Sequence, residues 1–207
     1  MIFQFLTHFL IGFITSFLGS IPLGSINAGV ARISITQNKK AAHLFILGAT
    51  LAELIYSCLA IHFSSFLVSI PNFDYYIRIL SIPIFILIGI SYFLIQPKKN
   101  AEEPDKTKSN YVVQGLLIGL LNPLQIPFWL AYGTYFISVG WILKDVVLLN
   151  WFIVGIIIGS SCLLILIAKF ASLYGEKYKI NNRKINLITG GIFIILAAYQ
   201  LLLLFIR

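Results

Sequence analysis

The sequence predicts an all-α integral membrane protein: six transmembrane helices in a 3+3 inverted-topology repeat, with helices 1 and 4 broken. Three observations carry this. Hydrophobic residues make up 59% and charged residues 11% of the 207, against about 25% charged in a soluble domain. Apolar runs long enough to cross a bilayer recur along the chain. Two of those runs, one in each half, are interrupted by proline at corresponding places.

The first span, 3–31, carries no Lys, Arg, Asp or Glu. It has no basic leading segment and no small-residue cleavage site before Arg32, so a retained helix is expected rather than a removed signal peptide. It is broken at Ser20-Ile21-Pro22-Leu23-Gly24-Ser25-Ile26-Asn27. Proline removes a backbone donor and clashes with the preceding turn, so the helix opens there. The second span, 42–69, follows the basic pair Lys39-Lys40 and contains Glu53. The third, 74–95, ends in the polar stretch 97–110. The fourth, 111–137, is broken at Leu121-Asn122-Pro123-Leu124-Gln125-Ile126-Pro127. The fifth and sixth are 146–170 and 185–206.

The stretch 97–110 has the composition of a flexible linker. It divides the chain into a first three-helix repeat, 1–96, and a second, 111–207. Phe45-Ile46-Leu47-Gly48 returns as Phe152-Ile153-Val154-Gly155, and Ile84-Phe85-Ile86-Leu87 as Ile192-Phe193-Ile194-Ile195. Leu18-Gly19 through Pro22-Leu23 is echoed by Ile118-Gly119 through Pro123-Leu124. An odd number of spans per half forces the halves into opposite orientations, and paired broken helices in such a repeat point to a transport site. Small residues at Gly12, Ser16 and Ser20, at Gly115 and Gly119, and at Gly155 and Gly159 have the spacing that lets helix backbones touch. Packing within the chain is the expected use; a homodimer seam is the alternative.

The net charge of +8 raises nucleic acid as a partner. Its placement argues for lipid instead. The segments after spans 1, 3 and 5 hold 12 of the basic residues, and the opposite side holds Arg78, Lys144 and Arg207. This positive-inside bias puts the basic loops in the cytoplasm and both termini outside. A bacterial cytoplasmic membrane is the expected location.

Glu53 is the acidic residue deep in a span, and a charged carboxylate there costs about 2.5–3.5 kcal/mol on insertion scales. It must face the bundle interior, be protonated or be paired. Gly48, Ala49, Ala52, Glu53, Tyr56, Ser57 and Ala60 make one small, polar face of span 2, so Glu53 is expected inside, beside the Tyr56 hydroxyl. It is suited to binding an ammonium or exchanging a proton. Each broken helix adds a second N-terminus that favours anions and a second C-terminus that favours cations. Pro22, Gly24, Ser25, Asn27, Asn122, Pro123 and Gln125 are therefore candidate substrate or ion-binding residues, with Ser20 beside them. Trp129 and Tyr132, one turn apart, are candidates for lining a pathway.

No Walker loop or Gly-x-Ser-x-Gly elbow is present, which leaves ATPase and hydrolase readings unsupported. His8, His43 and His62 form no ligand spacing, and Cys58 and Cys162 belong to no Cys-x-x-Cys. No enzyme activity, cofactor or dedicated metal site is expected.

With these residues in view, the chain resembles the LysE/RhtB family of amino-acid exporters. The resemblance covers nearly the whole length. Pro22-Leu23-Gly24-Ser25-Ile26-Asn27 is similar to the family's Pro-Gly-Pro-Asn-like opening, with the Asn displaced. Lys39-Lys40 followed by Gly48 and Glu53 is similar to its basic loop and acidic helix. Gly115 through Asn122-Pro123-Leu124, with Phe128-Trp129 after, is similar to its Gly…Asn-Pro-Lys pattern, Leu124 standing in place of the Lys. The resemblance implies export of an amino acid or a similar small solute, driven by an ion gradient. The alternatives are export of another solute or cation, and a non-transporting membrane scaffold.

Overall fold

The computed structural model describes residues 2–21, 24–69, 110–122 and 125–174, together with scattered positions between 79 and 94 and between 187 and 202. Pro22, Pro123 and most of the 97–110 linker lie outside the described residues, as do large parts of the third and sixth expected spans. The positions described within those two spans are helical. They meet at glycine: a Cβ on Gly89 would lie 2.7 Å from the Ile194 side chain, and one on Gly190 would lie 2.9 Å from the Gly89 carbonyl oxygen.

Six helices are described over their full length: α1 (Ile2–Gly19), α2 (Ser25–Thr36), α3 (Lys39–Leu67), α4 (Tyr111–Leu120), α5 (Gln125–Ser138) and α6 (Val146–Tyr174). Among the described residues, α1, α3 and α6 are each long and apolar enough to cross a membrane. The α4–α5 pair makes a fourth crossing if counted as one span bent by 64°. The first expected span is two helices, and α2 runs five residues past its expected end at 31 to Thr36. Apolar content alone stops the reading at Arg32, whereas the backbone continues as helix to the Gln37 cap.

Polar side chains start three of the helices. Asn38 accepts the Ala41 amide at 2.9 Å, Asn110 accepts those of Val112 and Val113, and Asp145 accepts those of Val147 and Leu148 at 3.0 Å each. These bonds satisfy amides that lack an intrahelical acceptor. Gly24, the N-cap of α2, offers no such side chain.

Glycine sets the helix crossings. A Cβ on Gly12 would run into the Phe152 carbonyl oxygen, and one on Gly155 into that of Phe9, so α1 lies directly against α6. A Cβ on Gly115 would run into the Phe45 carbonyl oxygen, and one on Gly48 into that of Val112, so α4 lies directly against α3. The two crossings have the same construction, with positions 9 and 12 playing the parts of 112 and 115, and 45 and 48 those of 152 and 155. In this register Ser16 corresponds to Gly119, three residues from the Gly19–Gly119 match that the sequence echo suggests. The glycines of these crossings are used for packing within the chain.

α3 and α6 are each 29 residues long and cross in opposite directions, tied by Thr50–Ser161 at 3.2 Å and His62–Asn150 at 3.1 Å. One apolar cluster joins α2 to the first half of α3 and the second half of α6, around Val30, Phe45 and Leu164. Another joins α5 to the second half of α3 and the first half of α6, around Ile61, Trp129 and Phe152. Outward faces carry large apolar residues such as Leu51, Leu59, Phe66, Val154 and Leu166, suited to contact with lipid.

Candidate functional site

Between the two apolar clusters lies a buried polar layer of Ser16, Glu53, Ser57, Gln125 and Ser160. Glu53 is the fifteenth residue of the 29 in α3, and Ser160 is the fifteenth of the 29 in α6. In the register of the glycine crossings these two correspond. The middle of each long helix therefore supplies one polar side chain to the same point.

Glu53 is 8% exposed, and its partners come from α5. The Trp129 indole N–H donates to Oε1 at 3.1 Å, and the Gln125 amide Nε2 donates to Oε2 at 3.5 Å. The Ser160 hydroxyl, on α6, donates to the Ile157 carbonyl at 3.2 Å. Gln125 and Trp129 are one helical turn apart, which aims both side chains at one neighbour. α5 begins at Gln125 because the break precedes it, so the break places the amide at the mouth of the second helix half. The Gln125 amide lies with its nitrogen toward Glu53, the orientation that suits an ionised carboxylate, which only accepts hydrogen bonds. Its oxygen is buried and without a hydrogen-bond partner, as is the Ser16 hydroxyl.

The helix-3 face expected to point inward does so: Gly48, Ala49, Ala52, Glu53, Ser57 and Ala60 are buried. Tyr56 departs from the expectation. Its hydroxyl does not meet Glu53 but donates to the Leu120 carbonyl, at the end of α4. Asn27 acts in parallel on the other break: its Nδ2 donates to the Ser20 carbonyl at 2.7 Å. Each broken helix thus has a side chain bonded to a carbonyl just ahead of its break. An unsatisfied carbonyl in hydrocarbon costs several kcal/mol, roughly, which explains why both carbonyls are met.

The other expected site residues separate from Glu53. Gly24 and Ser25 open α2, with Ser25 exposed. Asn122 sits within the second break, its backbone amide donating to the Gly119 carbonyl at 3.1 Å and its carbonyl accepting from the Gln125 amide N–H at 3.5 Å. Tyr132 lies at the surface against Phe128 and Phe136. Trp129, read from sequence only as a pathway aromatic, is 1% exposed and is the nearest donor to Glu53.

A model of the LysE type translocator family matches residues 17–204. The chain belongs to the LysE type translocator family. The match runs through both breaks, Glu53 and the linker, and Ser16 lies just ahead of it. Searches of curated proteins and of solved structures returned no match. Membership makes this chain a multi-pass membrane protein and a transporter of small solutes, in a family of translocators rather than enzymes.

Two buried residues escaped the sequence reading. Ser160 was one small residue among many in span 5; the signal was its place, at the position matching Glu53 when Phe45–Gly48 is laid on Phe152–Gly155. His8 is 2% exposed, and its Nε2 accepts the Leu143 backbone N–H at 2.9 Å. Since that backbone group can only donate, the ring proton is on Nδ1, which donates to the Gln4 carbonyl at 2.7 Å. His8 thereby holds the turn between α5 and α6 onto α1.

Proposed function

We propose that this LysE type translocator exports an amino acid or a similar small solute by alternating access, coupled to a proton gradient. The observation that carries the proposal is the Glu53 carboxylate. It sits midway along a membrane-length helix and is held by Gln125 and Trp129, the first turns after a helix break. Intramembrane ionisable groups of this kind mark substrate and proton pathways.

In this reading the chain is a six-span 3+3 inverted repeat, and the paired glycine crossings support it. The two halves rock about the Glu53–Ser160 layer. The basic loops lie in the cytoplasm and the termini outside, on the bacterial inner membrane. Ionised Glu53 takes the substrate amine from the cytoplasm; on the outer side a proton replaces it and the substrate leaves.

The test is efflux of a preloaded amino-acid mixture from proteoliposomes, with and without an imposed pH gradient. Selective, gradient-dependent loss of one or a few amino acids is the expected result. Folded protein that releases nothing above empty liposomes would refute the proposal.

A further inference from the structure

Two acceptors stand out in this buried layer. One is the Glu53 carboxylate, whose bonded partners are neutral: an indole and an amide. The other is Gln125 Oε1, on a side chain 8% exposed, with no partner of its own. The amide nitrogen faces the carboxylate, which leaves the oxygen as its unpartnered end. An amide oxygen buried without a donor costs about 1–3 kcal/mol, so such an atom marks where a donor belongs.

Among the described residues no ion pair to the carboxylate is found. The stretches 1–31, 110–143 and 146–168, which supply most of the helices around it, contain no Lys, Arg, Asp or Glu, and Arg32 follows in the second half of α2. α3 itself has no charged residue between Lys40 and its end except Glu53. A ligand entering this layer therefore meets one negative charge, an unpartnered amide oxygen and the Ser16 hydroxyl, with no cation bonded to the carboxylate among the described residues. A protonated amine satisfies both acceptors and neutralises the charge. A carboxylate would face Glu53 with no guanidinium or ammonium to screen it.

We propose that Glu53 and Gln125 Oε1 together form an ammonium-reading site, so that the protein recognises its cargo as an organic cation through the amine, with a carboxylate on the cargo dispensable. This deepens the export reading and rests on it for the direction of movement, but not for binding. It extends the cargo from amino acids to simple primary amines.

Trp129 provides the readout, because its indole N–H touches the carboxylate. The chain has three tryptophans, so Trp141→Phe with Trp151→Phe leaves Trp129 as the single emitter. In lipid nanodiscs this variant is titrated with three probes of similar size: propylammonium, propionate and alanine. Propylammonium is expected to shift Trp129 emission saturably, with propionate silent and alanine no tighter than propylammonium. In the same background Gln125→Leu should weaken propylammonium binding by about tenfold, the loss of one hydrogen bond to a charged group. Glu53→Gln should abolish it. A thermal melt of each variant establishes that it is folded. If Gln125→Leu fails to fold, Gln125→Glu replaces it and should tighten propylammonium binding.

Silence toward propylammonium, a response to propionate, or alanine binding that far exceeds propylammonium binding would each overturn the proposal. If propylammonium binds while proteoliposomes release no solute, the ammonium site stands and the export reading falls.

Discussion

Trp129 donates its indole N–H to Glu53 across the interface between α5 and α3, at 3.1 Å. This bond ties the helix that follows the second break to the middle of an unbroken membrane-length helix. Replacing Trp129 with Phe keeps an aromatic ring against Phe128 and Phe152 but removes the donor. The expected loss is about 1–2 kcal/mol of stability, read as a lower melting temperature in detergent. Efflux should fall further than stability does. A Trp129→Phe protein with unchanged efflux would show that the indole bond does not matter to transport.

The glycine crossings make a second prediction. Gly115→Ala drives a methyl into the Phe45 carbonyl, and overpacking of this kind costs about 1–3 kcal/mol. Gly48→Ala, Gly12→Ala and Gly155→Ala should behave alike, since each meets a backbone carbonyl. Gly24→Ala meets nothing within 4 Å and has a negative φ of −84°, so its melting temperature should stay at the wild-type value. Equal melts for Gly24→Ala and Gly115→Ala would contradict the packing described above.

Asn27 and Tyr56 bond to the carbonyls that precede the two breaks. Asn27→Leu and Tyr56→Phe should each lower stability by about 1 kcal/mol, because each frees a carbonyl within the bundle. Their effects should add, since the two breaks share neither bond. Thermal melts of the single and double variants check this.

His8 gives a prediction outside the site. His8→Phe leaves the Leu143 amide without its acceptor, and a buried unsatisfied donor costs about 1–3 kcal/mol. The turn around Lys144 should then open, and trypsin should cleave after Lys144 faster than in the wild type. Unchanged cleavage would mean that Lys144–Ser69 and the Asp145 cap hold the turn alone.

Much of this was legible from residues whose chemistry is expensive in a membrane. Pro22 and Pro123 announced the breaks, and Glu53 announced the buried layer, because neither a missing donor nor a charge is tolerated in hydrocarbon without a reason. The Phe45–Gly48 and Phe152–Gly155 echo gave the register of the two long helices, since glycine at a crossing admits no substitute. The partners were harder to read. Tyr56 lies one turn from Glu53 on the same helix, yet its long side chain reaches across to α4. Trp129 looked like any other membrane aromatic, because composition does not reveal which face of α5 meets α3. The three-residue shift in the α1–α4 register was hidden for a similar reason: Gly19 and Gly119 match by eye, while the contact is made by Gly12 and Gly115.

Glu53→Gln is the most direct test of the central claim. Gln is nearly the same size and can still bond to Trp129, so the fold should survive, but it can neither carry the negative charge nor exchange a proton. The measurement is gradient-driven efflux of the transported solute from proteoliposomes, wild type and Glu53→Gln side by side at matched protein content. The account predicts that the folded variant loses gradient-driven efflux. Efflux and proton coupling at the wild-type level would contradict it.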